Sequence, residues 1–99
     1  MSKFTLRVEM YTPRDDVYQE LILKMAEEGF TSTAVMQDKQ YKLPRGEFFF
    51  EGSGVEVKDV LEKGTLLARA VAFHFKLPEP SLLVTKADGP RRWHHLVEA

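Results

Sequence analysis

The chain opens with a strict alternation of apolar and polar side chains. The alternating positions are Phe4, Leu6, Val8 and Met10 on one side, and Thr5, Arg7, Glu9 and Tyr11 on the other. A period of two residues is typical of a β-strand with one buried face and one polar face. The sequence therefore predicts a first strand whose polar side faces away from the core.

A helical period follows directly. Apolar residues recur at helical spacing, namely Val17, Tyr18, Leu21, Ile22 and Met25. Thr12 suits the N-cap, Pro13 suits the first helical position, and Gly29 suits the position after the helix ends. Asp15 and Asp16 carry the negative charge that the positive end of a helix dipole favours. This segment predicts the first helix.

The middle of the chain predicts a hairpin. Residues 30–37 are rich in Thr, Val and Phe and predict a second strand, and residues 47–51 predict a third. In the third strand, Phe48 and Phe50 share one face, whereas Phe49 shares the other with two glutamates. The polar stretch 38–46 contains Pro44 and Gly46, which break a strand pattern, so it predicts a long hairpin loop.

A second amphipathic helix and a last strand complete the pattern. The apolar stripe consists of Val57, Val60, Leu61, Leu67, Ala68 and Val71. Ser53 and Glu56 have capping-box spacing. Gly64 falls on the stripe, where it either lets the helix approach the sheet closely or marks a bend. Residues 81–86 predict the last strand and 87–90 a turn, after which 91–97 form a short helix or an added strand.

The order of these elements is strand, helix, strand, strand, helix, strand. Helices on one face only follow from the one-sided alternation of the first strand. The sequence therefore predicts an α+β ferredoxin-like βαββαβ sandwich, with a four-stranded antiparallel sheet and two helices on one face. We expect a single domain over residues 1–99, with a core at about 3–86 and a C-terminal tail at 87–99.

Composition narrows the function classes. The 99 residues are 43% hydrophobic and 29% charged, which is typical of a globular domain. The formal net charge is −1, so binding of nucleic acid requires local basic patches. The chain has no cysteine and hence no disulfide or thiolate metal site. It has neither an apolar leader nor an 18-residue apolar run, so we expect a cytoplasmic protein without a membrane partner.

The uncovered sheet face is the first candidate site. Arg7, Glu9, Tyr11 and Phe49 are expected to lie on it. Aromatic side chains on a four-stranded sheet of this topology are used by RNA-recognition motifs to stack bases. The alternative is that Phe49 covers a dimer contact or lies beneath the tail.

Basic residues interleaved with aromatic residues form the second candidate. Lys42 and Arg45 share the predicted loop with Tyr41, and Arg91 and Arg92 precede Trp93. Cations that contact phosphates, next to rings that stack on bases, suit a single-stranded nucleic acid. The alternative is a solvated loop and a docked tail whose Trp93 seals the edge of the core.

Acid–base groups are the third candidate. Glu9 and Asp15 lie near the end of the first strand, and His95 follows His94 in the tail. These residues are the catalytic candidates, because carboxylates can activate water or hold a divalent cation and a histidine can act as a general base. The alternative for Asp15 is a purely structural role at the helix N-terminus. The adjacent histidines diverge on any regular element, so we expect neither a metal site nor a cofactor.

Taken together, several segments resemble the GhoS family, the antitoxins of type V toxin–antitoxin systems. The likeness rests on residues 5–9 and Pro13, 29–35, 43–45 before Phe48, 55–61, and the pair Leu77 and Pro78. It implies a ferredoxin-like protein, similar to Cas2 nucleases, that cleaves the messenger RNA of a small membrane toxin. Such proteins tend to carry an aspartate near the end of the first strand. Here Tyr11 stands in that region, with Glu9 two residues earlier.

The sequence therefore predicts single-stranded RNA binding, with endoribonuclease activity implied by the resemblance. Under this hypothesis Arg7, Lys42, Arg45, Arg91 and Arg92 contact phosphates. The residues predicted to stack on bases are Tyr11, Tyr41 and Phe49. The alternative is a non-catalytic protein-binding module, either a homodimer or an inhibitor, that uses the open sheet face.

Overall fold

The structure is a computed structural model that describes residues 1–87 and 91–99. Within those residues the elements are β1 (Ser2–Glu9), α1 (Asp15–Glu27), β2 (Thr33–Met36), β3 (Lys39–Lys42), β4 (Glu47–Gly52), α2 (Val57–His74) and β5 (Ser81–Lys86). The α+β class is as predicted from the sequence. The predicted turn at 87–90 lies outside the described residues over 88–90.

Strand β1 is the centre of a three-stranded antiparallel sheet with the order β4-β1-β5. Leu6 lies opposite Phe48 of β4 and Val84 of β5. Phe4, Leu6 and Val8 of β1 are buried, whereas Arg7 and Glu9 are exposed. The predicted division of β1 into a core face and an open face is confirmed.

Both helices contribute their apolar stripes to the core beneath β1. Val17 and Leu21 of α1 join Val60 and Ala68 of α2 in one buried cluster with the buried residues of β1. Gly64 of α2 is buried, and a Cβ atom there would lie 2.8 Å from Leu6 Cδ2. Of the two alternatives for this glycine, close approach of the helix to the sheet is therefore correct.

The predicted four-stranded sheet is wrong. β2 pairs with β3 in a separate two-stranded sheet, and one bridge from Thr31 to Phe49 joins this part of the chain to β4. The predicted loop 38–46 instead contains β3. Gln37 and Asp38 both have positive φ, which produces a tight hairpin turn between β2 and β3. The chain bends at Ser32, between the Thr31 bridge and the start of β2, so the pairing with β4 does not continue along β2.

The predicted N-caps of both helices are displaced, whereas Gly29, with φ of +89°, directly follows the C-cap Glu28 of α1 as predicted. α1 begins at Asp15 with Arg14 as N-cap, and Thr12 Oγ1 accepts a 3.3 Å hydrogen bond from the Arg14 backbone. The hydrogen bond from Arg14 lowers the pKa of Asp16 from its ordinary value. The capping box of α2 is Glu56 with Asp59, not Ser53 with Glu56. Val57 and Leu61 are exposed, so the core stripe of α2 is narrower than predicted.

The C-terminal segment 91–99 is neither a short helix nor a regular strand; it bends at His94 and His95, and its last residues pair with β3 through one bridge. Lys42 N donates to Val97 O at 2.8 Å, and Ala99 N donates to Gln40 O at 2.9 Å. Tyr41 forms an antiparallel bridge with Glu98, and Lys39 forms an ion pair with Glu98 at 3.3 Å. The tail therefore extends the β2–β3 hairpin along the free side of β3. No helix in the described ranges has the length and apolar character needed to cross a membrane.

We predict that Gly64→Val destabilises the protein by about 2 kcal/mol or more, because the new side chain must displace buried Leu6. Urea unfolding monitored by circular dichroism measures the change. Ala70→Val, on the exposed side of the same helix, is the matched control and should cost about 0.5 kcal/mol of helix propensity. Equal losses for the two variants would contradict the close approach of α2 to β1.

Candidate functional site

The tail crosses the open face of the sheet at its centre. Arg91 Nη2 donates a 3.1 Å hydrogen bond to Thr5 Oγ1, and Arg91 Cζ lies 4.8 Å from the centroid of the Phe49 ring. Thr5 and Phe49 are opposite each other on β1 and β4. The predicted alternative for Phe49, a position beneath the tail, describes its surroundings: the guanidinium of Arg91 lies over its ring.

A groove of about 490 Å³ opens beside this crossing. We call it the tail groove; its charged and aromatic lining residues are Lys3, Phe49, Glu51, Arg91, Arg92 and Trp93. β2 contributes the rest of one wall, including Ala34 and Met36. Three cations therefore face one carboxylate, and two aromatic rings lie among them. A smaller groove of about 220 Å³ shares the segment from Arg91 to Trp93 and continues past Thr5 and Glu47.

Packing of rings and backbone pairing together hold Trp93 in the tail groove. The centroids of Trp93 and Tyr41 are 5.3 Å apart and the ring planes are tilted by 48°. Tyr41 is placed by β3, and the backbone of the same strand pairs with the tail. The groove is thus assembled from three segments that are distant in sequence: β1, the β2–β3 hairpin with β4, and the tail.

A second group of polar side chains lies where β1 ends. We call it the β1-end cluster and define it as Glu9, Asp15, Tyr18 and Arg45. The Tyr18 hydroxyl donates to Glu9 Oε2 at 3.2 Å and accepts a 3.1 Å hydrogen bond from Met10 N. Arg45 Cζ lies 4.5 Å from the centroid of the Tyr18 ring, and Arg45 Nη1 donates to Asp15 Oδ1 at 3.0 Å. The positive charge of Arg45 is therefore already paired within the cluster.

Backbone geometry fixes the β1-end cluster. Gly46 has φ of +86°, and a Cβ atom there would lie 2.5 Å from the carbonyl oxygen of Val8. Val8 N donates a 2.7 Å hydrogen bond to Gly46 O. Only glycine permits this approach, which brings the loop carrying Arg45 against β1.

The backbone of Tyr11 also holds Glu9. Tyr11, with φ of +59°, donates its backbone N–H to Glu9 Oε2 at 2.9 Å, and its hydroxyl bonds to Ser81 Oγ.

The other predicted residues are distributed around these two groups. Arg7 is exposed on the open face, opposite Glu47 and Leu83. Lys42 lies on β3, where its backbone pairs with the tail.

The predicted catalytic histidine lies apart from the two carboxylates. The ring centroids of His95 and His94 are 6.1 Å apart, and no hydrogen bond or ion pair in the described part of the chain joins His95 to Glu9 or Asp15. The structure therefore brings two of the three catalytic candidates together, without the histidine.

Four residues of these groups were not predicted as site residues, namely Lys3, Glu51 and Trp93 of the tail groove and Tyr18 of the β1-end cluster. Lys3 lines the tail groove, and its odd number on β1 was a sufficient signal for its place on the open face. Tyr18 was assigned to the core stripe of α1, and it is only 5% exposed. The helical spacing predicts that the ring of Tyr18 is buried, but it does not predict that the Tyr18 hydroxyl bonds to Glu9.

The pKa of Tyr18 makes the β1-end cluster testable. Burial and the Glu9 carboxylate raise the pKa of Tyr18 above its ordinary value of 10.0, against smaller opposing effects from Met10 N–H and Arg45. Because the unfolded chain loses this proton first, the contribution of Tyr18 is present below about pH 10 and declines as pH rises further. We predict that Tyr18→Phe costs about 1–3 kcal/mol near pH 8 and less near pH 11, measured by urea unfolding.

The control for this prediction is Tyr11→Phe, since that hydroxyl is on the exposed side of the strand end. Its cost is expected to stay below about 1 kcal/mol, because an exposed hydrogen bond contributes little. A cost for Tyr18→Phe that grows between pH 8 and pH 11 would contradict the assignment.

Comparison with known proteins adds no family to this description. No protein-family model matches the chain, and no curated protein matches it. The resemblance to the GhoS family therefore stays a prediction from the sequence segments given above.

Proposed function

We propose that this chain binds single-stranded RNA in the tail groove. The observation that carries the proposal is the convergence of Lys3, Arg91 and Arg92 with the rings of Phe49 and Trp93 in one groove. Phosphate contacts from Lys and Arg supply most of the affinity of proteins for single strands. Aromatic side chains between such cations supply sites on which bases of any sequence stack.

The roles of the groove residues differ. Arg91 occupies one face of Phe49, so a base would stack on the outer face of the Arg91 guanidinium or on Trp93 rather than on Phe49 itself. Lys3 and Arg92 are then available for phosphates. Glu51 on the same wall disfavours phosphate close to it, which directs the backbone towards the side of the groove formed by the tail.

The same proposal includes the finer fold and the family. The order β4-β1-β5, with Thr31 bridged to the outer side of β4, is compatible with a ferredoxin-like sheet whose fourth strand is reduced to one bridge. We propose a GhoS-like antitoxin that acts on messenger RNA in the cytoplasm. The basic and aromatic tail groove supports an RNA partner, and the sequence segments support the family.

Cleavage of the bound RNA is a second step of the proposal. In the β1-end cluster, Glu9 is the candidate base, because its carboxylate is held by Tyr18 and by the backbone of Tyr11. Asp15 forms an ion pair with Arg45, whose guanidinium also lies over the Tyr18 ring, so the cluster contains one cation. His95 is the remaining proton-transfer candidate, reached only if the bound RNA spans from the tail to the end of β1.

A protein partner on the open face is the other candidate function. Two uncharged side chains are exposed on that face: Tyr11 is 55% exposed and Leu83 is 63% exposed. A non-catalytic inhibitor or binding module would use these side chains. Because they lie outside the tail groove, substitutions in the groove separate the two functions.

We predict that the double variant Arg91→Ala, Arg92→Ala weakens binding of an unstructured, fluorescently labelled RNA, measured by anisotropy at low salt. Each lost phosphate contact should reduce the slope of log K against log salt by about 0.7.

Trp93→Ala should weaken binding by about 5- to 150-fold, since base stacking contributes about 1–3 kcal/mol. Arg14→Ala, in an exposed ion pair with Asp16, is the control and should bind as the wild type does. Absence of wild-type binding, or equal weakening by Arg14→Ala, would refute the proposal.

For cleavage, we predict that Glu9→Gln abolishes the appearance of shorter RNA fragments on a denaturing gel while anisotropy still reports binding. Removal of the carboxylate eliminates the base but leaves the tail groove intact. Glu20→Gln, on α1, is the matched control and should cleave normally. Unchanged cleavage by Glu9→Gln would remove Glu9 from the mechanism without affecting the binding proposal.

A further inference from the structure

We propose that the outer edge of β5 pairs with β5 of a second copy of this chain, antiparallel and with Leu83 opposite its own counterpart. The two three-stranded sheets would then form one continuous sheet. β5 is the last strand in the order β4-β1-β5, and no strand in the described ranges pairs with its outer side. This interface is independent of the RNA proposal.

Hydrogen bonding identifies which backbone groups of β5 are free. Ala87 N donates to Lys3 O at 2.8 Å, so the backbone of Ala87 faces β1. In an antiparallel ladder the direction alternates from residue to residue. The N–H and C=O groups of Leu82, Val84 and Lys86 therefore point away from β1, towards the unpaired side. An open strand edge of this kind is a template for pairing with another strand.

The proposed register uses these groups symmetrically. With Leu83 opposite Leu83 of the second copy, Leu82 exchanges both of its backbone hydrogen bonds with Val84 of the second copy, and the reverse pair repeats them. Pro80, which has no N–H, supplies its carbonyl to Lys86 of the second copy. No outward N–H group of the strand is left unpaired, which favours this register.

Apolar contact supports the same register. Leu83 is 63% exposed on the open face, between residues that point into the core. Directly opposite residues in a position without mutual hydrogen bonds have the closest side chains in an antiparallel pair. The two Leu83 side chains would therefore cover each other and leave the solvent together.

The two-fold register favours a second copy over an unrelated strand, because it pairs every outward N–H group of β5. A groove of about 550 Å³ at the start of β5 is lined by Arg69, Phe73, Leu77, Pro78 and Glu79 among others. In the antiparallel pair this groove meets the end of β5 of the second copy, where Lys86 is exposed. Because Glu79 is already paired with Arg69, the contact would be made by the aliphatic stem of Lys86 on the apolar part of the groove. The two-fold symmetry produces the same contact twice.

The size of the contact sets its strength. A stable interface buries about 800 Å² on each partner. Seven paired residues on each side (80–86), with one groove, fall at or below that size, so the dimer should dissociate on dilution. The open faces of the two copies lie on the same side of the joined sheet, because pairing along an edge preserves the faces.

The test uses the absence of cysteine from the chain. Leu83→Cys introduces one thiol at a position where directly opposite Cα atoms are about 4.5 Å apart, a distance that suits a disulfide. Mild oxidation at high protein concentration should give a covalent dimer on a non-reducing gel. Leu23→Cys is the matched control, since Leu23 is 64% exposed on α1, and it should cross-link several-fold less. Equal cross-linking of the two variants, or none at Leu83, overturns the proposal.

Analytical ultracentrifugation over a dilution series provides the second measurement. The wild type should move from twice 11.4 kDa towards 11.4 kDa as it is diluted. Leu83→Lys places like charges opposite each other and should weaken the dimer about tenfold or more, whereas Leu23→Lys should not. Circular dichroism verifies that both variants are folded. A wild type that is monomeric throughout, or a dimer insensitive to Leu83→Lys, contradicts the β5 interface.

Discussion

The two-residue period of β1 is the constraint on which the rest of the structure depends. Because β1 lies between β4 and β5, its alternation assigns one face of the sheet to the core and leaves the other face open. Leu6 marks the buried face, where Gly64 lets α2 approach. Thr5 marks the other face, where it meets Arg91. A shift of one residue would exchange the two faces and remove both the core and the groove.

The C-terminal tail covers part of the open face of the sheet. Without it, the open face carries the cations of β1 opposite the glutamates of β4, with Phe49 uncovered. The tail adds Arg91 and Arg92, and its pairing with β3 fixes Trp93 against Tyr41. The balance of charge beside Phe49 therefore depends on a segment far away in sequence. This dependence explains how a chain with a net charge of −1 can present a local basic groove.

The spacing of apolar residues along the sequence predicted those parts of the fold that depend on neighbouring residues alone. The period of β1, the stripe of α1 and the two faces of β4 follow from spacing alone, and the structure has all three. β3 was missed because the turn at Gln37 and Asp38 lacks the Asn-Gly or Asp-Gly pair that usually marks such a hairpin. Without that turn, nothing in the sequence prevents β2 from being placed as a full fourth strand. The N-caps of α1 and α2 were misplaced because several residues near the start of each helix have the type and spacing that suit a cap.

The candidate sites were less predictable, because they depend on contacts between distant segments. The open-face residues followed from alternation. Neither the placement of Arg91 over Phe49 nor the hydrogen bond from Tyr18 to Glu9 has a counterpart in local spacing. Arg45 and Arg91 looked equivalent as cations beside aromatic residues, whereas the structure pairs Arg45 with Asp15 and leaves the tail cations in the groove.

Mapping RNA-induced chemical-shift changes on the isotope-labelled protein tests the central claim most directly. Titration with a short unstructured RNA at low salt should shift the backbone signals of Lys3, Phe49, Arg91 and Arg92, together with the indole N–H of Trp93, the only tryptophan in the chain. Signals of the outer face of α2 should remain unchanged. Shifts confined to α2, or an unchanged Trp93 indole at saturation, would contradict binding in the tail groove.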